Sequence, residues 1–281
     1  MTSAPTISID VAVGTDADIS ATAMSGSGTT WTYTFDVPSG HDGNATVTVA
    51  GTDVAGNAYA GSDTIVYIID NTAPTQTVSS VSLSADTGTS STDEITKTAS
   101  QTISGTLSGA LASGDILYGS VNNGSSWTDI TSKVSGTAIS RNGATLSGSD
   151  NIVFKITDAA GNDSSTTGST AYVLDTTAPT LTVSSVSLSA DTGTSSTDEI
   201  TKTASQTISG TLSGALASGD ILYGSVNNGS SWTDITSKVS GTAISRNGAT
   251  LSGSDNIVFK ITDAAGNDSS TTGSTAYVLD T

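Results

Sequence analysis

The chain has 281 residues, of which 26 are acidic and 8 basic, so its formal net charge is −18, and aromatic residues make up only 5%. This charge repels phosphate backbones and anionic lipid headgroups, which argues against nucleic-acid binding and membrane insertion. The chain has no cysteine, and no apolar run approaches the ~18 residues of a membrane-spanning helix, so disulfides, thiolate metal sites and such helices are excluded.

The first module, residues 1–69, is predicted to be a short all-β unit. Its alternating segments predict five strands, over 6–13, 18–24, 30–37, 45–53 and 63–70. The turn DVAGN at 53–57 corresponds to the turn DAAGN at 158–162 farther along the chain. Counting back from this turn, the module lacks the first strand and the acidic loop of the later repeats. We therefore expect a partial domain that is truncated upstream.

A long internal repeat follows the first module. Residues 77–174 are identical to residues 182–279, at an offset of 105 residues. A period of this length is a whole small domain rather than one unit of a solenoid. We therefore expect two complete domains, 70–174 and 175–281, and we expect the chain to be a window on a longer array. Pro74 and Pro179 lie in the linkers, which should be short and fairly stiff.

The strands of one repeat can be predicted from alternation and from turn residues. They are expected over 77–85, 100–109, 115–121, 126–131, 136–140, 143–148, 151–157 and 169–175. The segment around Asn122, Asn123 and Gly124 predicts a hairpin turn. About seven short strands at regular spacing predict an all-β fold with tandem Ig-like β-sandwiches.

An acidic loop follows the first strand of each repeat. It reads DTGTSSTDEIT at 86–96 and again at 191–201. Calcium takes six to eight oxygen ligands at about 2.3–2.6 Å, so carboxylates of this loop, of the linkers and of the DAAGN turn are candidate ligands. The candidate metal residues are Asp70, Asp86, Asp93, Glu94, Asp158, Asp175, Asp191, Asp198, Glu199, Asp263 and Asp280. The alternative is a loop of Asx turns that is merely solvated, since the spacing does not match an EF-hand.

Four motifs in a fixed order resemble one known family. The linker DTTAPT, the loop DTG-x-S-x-x-DEIT, the hairpin VNNGSSWTDIT and the turn TDAAGN together resemble the bacterial Ig-like domains of giant adhesins and biofilm-associated surface proteins. This resemblance covers both repeats and reaches the first module through DVAGN and NTAPT. It implies an extracellular location on the bacterial cell surface and a stalk that Ca²⁺ stiffens.

Catalysis is not expected from this sequence. His41 is the only histidine of the chain and lies in a turn-like segment of the first module, so neither repeat could supply a histidine base. A carboxylate pair for glycoside hydrolysis would lack an aromatic cluster to hold a sugar. Lys97, Lys133, Arg141 and Lys155 are expected on solvated faces or at strand edges.

Three functions remain open at this stage. The first is a structural stalk segment whose partners are the neighbouring Ig-like domains of the same chain. The second is a binding module whose Ig-like domains contact a carbohydrate or a protein, with Tyr118, Trp127 and Tyr172 as its few aromatic residues. The third is a self-associating fibre or surface-layer subunit, in which a neighbour adds a strand to the incomplete first module.

Overall fold

The computed structural model describes residues 4–12, 18–37, 39–59 and 64–281. Its strands fall into three blocks along the chain, and within the described residues no strand pairs with a strand of another block. The ends of two predicted strands, Val13 and Asp63, lie outside the described residues. In the described ranges there is no helix that is long and apolar enough to cross a membrane.

The first block forms one four-stranded sheet and a small hairpin. Its strands are β1 (Thr6–Val11), β2 (Ile19–Ala23), β3 (Ser25–Ser27), β4 (Thr30–Thr32), β5 (Gly43–Ala50) and β6 (Thr64–Ile69). The sheet has the order β2-β1-β5-β6, and β3 pairs with β4. The expected strand over 30–37 is wrong in its second half, since residues 33–37 belong to no strand. Instead, Tyr33 and Phe35 pack against the small core of this sheet.

The first repeat has nine strands, three of which are only two residues long. They are β7 (Val78–Leu83), β8 (Ile95–Thr96), β9 (Ser100–Leu107), β10 (Ile116–Ser120), β11 (Thr128–Asp129), β12 (Val134–Ser135), β13 (Ala138–Thr145), β14 (Ser149–Thr157) and β15 (Thr167–Leu174), with a 3₁₀ turn over Thr131–Lys133. One sheet has the order β11-β10-β14-β15-β8, and the other has the order β12-β13-β9-β7.

The second repeat reproduces this topology strand for strand. Its strands are β16 (Val183–Leu188), β17 (Ile200–Thr201), β18 (Ser205–Leu212), β19 (Ile221–Ser225), β20 (Thr233–Asp234), β21 (Val239–Ser240), β22 (Ala243–Thr250), β23 (Ser254–Thr262) and β24 (Thr272–Leu279), with a 3₁₀ turn over Thr236–Lys238. The prediction of an all-β fold with tandem Ig-like sandwiches is thus confirmed. The prediction of about seven strands omitted β8 and β12, which are too short to show alternation, whereas β11 lies within the strand expected over 126–131.

The core of each repeat lies between its two sheets. Ile152, Phe154 and Ile156 alternate along β14, and each is fully buried. From the facing sheet, Ile103 and Leu107 of β9 fill the other side of the same core. Burying side chains of this size stabilises a fold by about 1.5–3 kcal/mol each, so these residues hold the two sheets together.

The segment 136–148 differs from its prediction. Two short strands were expected, over 136–140 and 143–148. The structure has one strand, β13, whose register with β9 shifts between Arg141 and Ala144. Gly143 has a φ of +73°, which a β-bulge with glycine in the left-handed region accommodates.

Apart from the two-stranded hairpin of β3 and β4, the first block has no second sheet within the described part of the chain. Its sheet β2-β1-β5-β6 therefore has apolar residues that no facing sheet covers. On β6, Ile65, Tyr67 and Ile68 are 51%, 57% and 83% exposed. In the repeats, the last strand pairs with a further short strand in parallel, as β15 does with β8. The first module thus lacks more than the one strand and the one loop whose absence was predicted from the sequence.

Candidate functional site: the junction between the repeats

The turn Asp263–Asn267 forms one side of the junction. The Asp263 carboxylate accepts hydrogen bonds from the Asn267 backbone N–H at 2.8 Å and from its side-chain amide at 2.9 Å. Gly266 has a φ of +90°, which suits the tight turn. The sequence predicted this turn, and its aspartate closes the turn rather than standing free.

The acidic loop of the first repeat forms the other side. The Asp86 carboxylate accepts a hydrogen bond from the Glu94 N–H at 3.1 Å, and the Glu94 carboxylate accepts one from the Leu83 N–H at 3.2 Å. The Gln101 side chain, which is buried, bonds both the N–H and the carbonyl oxygen of Ala85. The loop is therefore fixed at both ends to the sheet that carries it.

Two side chains of the first repeat bond the turn of the second repeat. The Thr87 hydroxyl donates to the carbonyl oxygen of Ala265 at 2.7 Å. The Lys97 ammonium donates to the carbonyl oxygen of Gly266 at 2.6 Å. Both acceptors are backbone carbonyl oxygens at the tip of the turn. The contact therefore depends on the backbone conformation of the turn and not on its side chains.

Gly88 allows the two repeats to approach closely. Its φ is +110°, and a Cβ at this position would collide with the carbonyl oxygen of Ala264. Only glycine combines this backbone conformation with this contact. The glycine of the loop therefore serves the junction as well as the loop.

A third bond connects the turn to the linker. The Asn267 side-chain amide donates to the carbonyl oxygen of Asp175 at 2.8 Å. The equivalent Asn162 donates to the carbonyl oxygen of Asp70 at 2.9 Å, so this bond occurs at both linkers. The Asp175 carboxylate accepts the Thr177 N–H at 2.8 Å and so orders the start of the linker.

The two copies of the turn provide an internal comparison. They are identical in sequence, but only the turn at 263–267 faces a module that has an acidic loop. Ala265 is 1% exposed, whereas the equivalent Ala160 is exposed. Asp263 is 8% exposed and Asp158 is only half-buried. The burial of the second turn therefore comes from the repeat that precedes it.

Negative charges gather around this junction. Burial raises the pKa of the Glu94 carboxyl above its usual value, against a hydrogen bond from Leu83, and the charges of Asp86 and Asp93 raise it further. Burial and the nearby Asp263 charge also raise the pKa of Asp220, against a hydrogen bond from the Ala217 N–H. The surplus of carboxylates favours a cation at the junction, and Lys97 supplies one.

The predicted metal residues are only partly brought together. Asp86 lies against Glu94, whereas Asp93 is exposed and accepts the Ile95 N–H at 3.1 Å. Asp191, Asp198 and Glu199 repeat this arrangement in the second loop.

The remaining candidates lie in the turns and the linkers. Asp158 and Asp263 close their turns, and the Asp70 and Asp175 carboxylates accept linker N–H groups. The backbone N–H of Asp280 donates to Thr201 at 2.9 Å, as that of Asp175 does to Thr96. Across the described ranges, no group of three or more His, Cys, Asp or Glu side chains is arranged to hold a metal ion. Two equivalent carboxylate atoms do point to a ligand, since Asp86 Oδ1 and Asp191 Oδ1 are each buried and have no hydrogen-bond partner in the structure.

Sequence reasoning missed the residues that form the junction. Lys97 is exposed, as expected, but its ammonium also bonds the next repeat. Thr87 and Asn267 were not singled out at all. The pair Ala264–Ala265 at the tip of a polar turn was the available signal, because small apolar residues leave room for a neighbouring backbone.

Two other expectations concern the sheets. Arg141 was expected on a solvated face, but it is only 9% exposed, and its Nη1 has no hydrogen-bond partner in the structure. Lys155 lies on the outer face, with its ammonium 5.5 Å from the Tyr118 ring, 5.4 Å from the Trp127 ring and 2.7 Å from the Asp163 carboxylate. The lysine thus covers two of the three aromatic rings that a binding module was expected to offer, and the third, Tyr172, is buried.

Comparison with known proteins gives one family. A sequence profile of the bacterial Ig-like domain (group 3) family matches residues 29–126 and 142–231, which is more than half of the chain. Both matches run across a linker instead of following the blocks of sheets. No curated protein sequence matches significantly.

The chain also matches solved structures, one of which aligns over most of its length. It is the crystal structure of a tetra-tandem repeat in the extending region of a large adhesion protein. It is 18% identical, with a TM-score of 0.28, over 99% of this chain and 67% of that chain. A TM-score this low supports no argument about the function of the present chain.

Proposed function

This chain belongs to the bacterial Ig-like domain (group 3) family, and we propose that it is a stalk segment of a large adhesin on the outside of a bacterial cell. In this role it holds an adhesive part away from the cell and performs no catalysis. Its working feature is the junction, which fixes the angle between one repeat and the next. Calcium binding at this junction is a second part of the proposal.

The observation that carries the proposal is the set of bonds across the junction. Thr87 and Lys97 each donate to the turn at 263–267, and Asn267 of that turn donates to the linker. Hydrogen bonds from three different residues restrict rotation of the two repeats as well as their separation. A flexible tether would need none of them, and a binding module would have no reason to bury the tip of a turn between domains.

The exact repetition of the chain supports the same function. All residues of the junction recur at an offset of 105 residues, so each added repeat brings both a loop and a turn. An array of such units grows in length with the same junction at every step. Chemical function gains little from identical copies, whereas the length of a stalk depends on their number.

The proposed calcium site uses the acidic loop. The buried and unpartnered Asp86 Oδ1 fits a hard cation, because carboxylate oxygens are the ligands that calcium prefers. Asp86 and Glu94 would hold the ion from the loop, and Asp175 and Asp263 lie on the elements that meet the loop. Backbone oxygens and water would complete the ligand set. The bound ion would neutralise carboxylates that otherwise repel one another across the junction.

Small-angle X-ray scattering of the whole chain tests the stalk proposal. We expect Gly88→Ala to change the scattering profile, because a Cβ at this position collides with Ala264 and opens the junction. The matched control is Gly193→Ala, at the identical position in the second repeat, which contacts no other module. Identical profiles for the wild type and Gly88→Ala would overturn the proposal of a fixed junction.

The open sheet of the first module favours a second candidate function. The apolar residues Ile65, Tyr67 and Ile68 of β6 are exposed, and such a sheet edge can accept a strand from another chain. Self-assembly by strand addition would protect this surface. It would be supported by assemblies that disappear when Ile65 and Tyr67 are both replaced with lysine, and contradicted by a concentration-independent monomer.

A further inference from the structure

Each repeat contains two Asn–Gly pairs in different structural settings. Asn123–Gly124 and its copy Asn228–Gly229 lie in the turn of a β-hairpin, and we call them the hairpin pairs. Asn142–Gly143 and its copy Asn247–Gly248 lie in the bulges of β13 and β22, and we call them the bulge pairs. Asparagine before glycine is prone to deamidation, because glycine has no side chain to hinder the reaction of its backbone nitrogen. The fold then decides which pairs react.

Deamidation proceeds through a cyclic imide. The backbone nitrogen of the glycine loses its proton and attacks Cγ of the asparagine, a new C–N bond closes a five-membered ring, and ammonia leaves. Water then adds to one of the two ring carbonyls and breaks its C–N bond, which gives aspartate or isoaspartate. The net reaction consumes one water and releases one ammonia. The attack requires a glycine nitrogen that can leave its hydrogen-bond acceptor and reach Cγ.

The hairpin pair of the first repeat is held by hydrogen bonds and by packing. The Gly124 N–H donates to the Ser120 hydroxyl at 2.9 Å, and Ser120 is only 1% exposed. The Asn123 N–H donates to the carbonyl oxygen of Asn151 at 3.0 Å. A Cβ on Gly124 would lie 3.2 Å from the Trp127 ring, so the glycine also packs against this side chain. The attacking nitrogen is therefore fixed away from the reaction.

The second repeat holds its hairpin pair in the same way. The Gly229 N–H donates to the buried Ser225 hydroxyl at 2.9 Å, and the Asn228 N–H donates to the carbonyl oxygen of Asn256 at 3.0 Å. Breaking one hydrogen bond of ordinary strength lowers a rate by a factor of about ten. We expect at least this protection for both hairpin pairs.

The bulge pair of the first repeat lacks these restraints. Asn142 and Gly143 are both exposed. In the register with β9, Arg141 and Ala144 have partner residues, whereas the two residues between them have none. On the other side, β12 pairs with β13 only at residues 138–139. Within the described residues, no hydrogen bond holds the Asn142 side chain.

The bulge pair of the second repeat has the same geometry. The register of β22 with β18 shifts between Arg246 and Ala249, and Asn247 is exposed. Gly143 and Gly248 have φ values of +73° and +74°, and a Cβ on either glycine would meet nothing within 4 Å apart from its chain neighbours. There is therefore room for the five-membered ring beside each glycine.

We propose that Asn142 and Asn247 are sites of spontaneous deamidation in the folded chain, whereas Asn123 and Asn228 are protected. Each event adds one negative charge at an exposed position, so the modified fraction increases with the age of the molecule. The isoaspartate product also lengthens the backbone by one atom. The bulge tolerates this change, because its two residues have no partner on the neighbouring strand. The proposal does not depend on the stalk function.

Peptide mapping by mass spectrometry of the full chain tests the proposal. Trypsin cleaves after Lys133 and Arg141 and after the equivalent residues of the second repeat, so the two kinds of pair lie on different peptides. The chain is incubated in mildly alkaline buffer, and freshly purified chain gives the blank for the digestion. In the folded chain, we expect the bulge pairs to deamidate at least about ten times faster than the hairpin pairs.

The same chain unfolded in guanidinium chloride is the matched control. Unfolding removes the hydrogen bonds of the hairpin, so both kinds of pair should then react at similar rates. Equal rates for the two kinds of pair in the folded chain overturn the proposal, and so does modification confined to the hairpin pairs. A difference that persists unchanged after unfolding also overturns it, because local sequence and not the fold would then be the cause.

A pair of serine variants tests the cause of the protection. Ser120→Ala with Ser225→Ala removes the acceptors of the Gly124 and Gly229 N–H groups, so deamidation of the hairpin pairs should become several times faster. Ser125→Ala with Ser230→Ala makes the same change at exposed positions of the same turns and should leave every rate unchanged. Hairpin rates that stay at the wild-type level in the first variant would contradict the assigned role of this hydrogen bond.

Discussion

The hydroxyl oxygen of Thr87 lies 2.7 Å from the carbonyl oxygen of Ala265, although the two residues belong to different repeats and are separated by 178 positions. The bond exists because the loop of one repeat meets the turn of the next. Identical copies of both elements occur elsewhere in the chain, and there they face different surroundings. The chain therefore contains its own controls, and most of the predictions below use them.

The buried alanine of the turn gives the first prediction. Ala265→Lys should open the junction, because this side chain is 1% exposed and a buried ammonium without a partner is costly. We expect proteolysis of the linker 175–182 to become several times faster. Ala160→Lys places the same change in the identical turn of the first repeat, where the alanine is exposed. In this variant, the linker 175–182 should be cleaved at the wild-type rate. Equal acceleration in both variants would contradict the assignment of Ala265 to the junction.

Calcium gives the second prediction. With a dissociation constant of about 10⁻⁴ M and about 10 mM calcium, binding would add about 2.7 kcal/mol, which corresponds to a rise in Tm of several degrees. Calorimetry with calcium and with a chelator measures this rise. The double variant Asp86→Asn with Asp191→Asn should abolish it, and Asp129→Asn with Asp234→Asn, an equal change of charge on exposed residues, should not. An unchanged Tm in calcium would leave the loop as a solvated turn.

The Glu94 carboxyl gives a prediction for pH. Its pKa is raised in the folded state, mainly by burial and also by the charges of Asp86 and Asp93, so ionisation destabilises the fold. The stability that this group contributes is complete below the unfolded value of 4.5 and is lost as the pH rises through the folded pKa.

The variant Glu94→Gln cannot ionise and keeps an acceptor for the Leu83 N–H. Without calcium, it should be more stable than the wild type at pH 7, and the difference should vanish as the pH falls towards 4. Urea unfolding across this range measures the effect. A difference that is independent of pH would show that the carboxyl charge is not its cause. Calcium should reverse the order at pH 7, because the variant loses a candidate ligand.

The buried arginine gives the fourth prediction. Arg141 is buried, its Nη1 has no hydrogen-bond partner in the structure, and its Nη2 lies 3.4 Å from the Thr128 hydroxyl. Burial of such a charge costs free energy that an apolar side chain of similar length avoids. Arg141→Met with Arg246→Met should therefore keep or raise the free energy of unfolding, by about 1 kcal/mol per site. A loss of more than about 2 kcal/mol per site would reveal a partner that stabilises the guanidinium.

The fold was largely predictable because its signals are local. The alternation of Ile152, Phe154 and Ile156 marks a strand whatever surrounds it, and Asp158 with Gly161 marks a turn. Strand β13 was predicted as two shorter strands, because the bulge between Arg141 and Ala144 interrupts its alternation. The two-residue strands β8 and β12 had no periodicity to detect.

The junction could not be predicted in the same way. Lys97 and Lys202 have identical neighbours in sequence, and only one of them bonds another repeat. The two lysines differ because a following repeat packs beside Lys97 and none packs beside Lys202 in the described residues. A local sequence pattern cannot predict such a contact. The acidic loop was singled out for its carboxylates, but its threonine and its glycine are the residues that contact the next repeat.

The central claim is that the junction between the two repeats has one fixed geometry. Because the chain has no native cysteine, Ser125→Cys with Ser230→Cys gives one spin label on each repeat, at equivalent exposed positions. Double electron–electron resonance should show one narrow distance distribution for this pair, unchanged by Gly193→Ala and broadened by Gly88→Ala. A broad distribution in the parent chain, as wide as that of Gly88→Ala, would contradict the account.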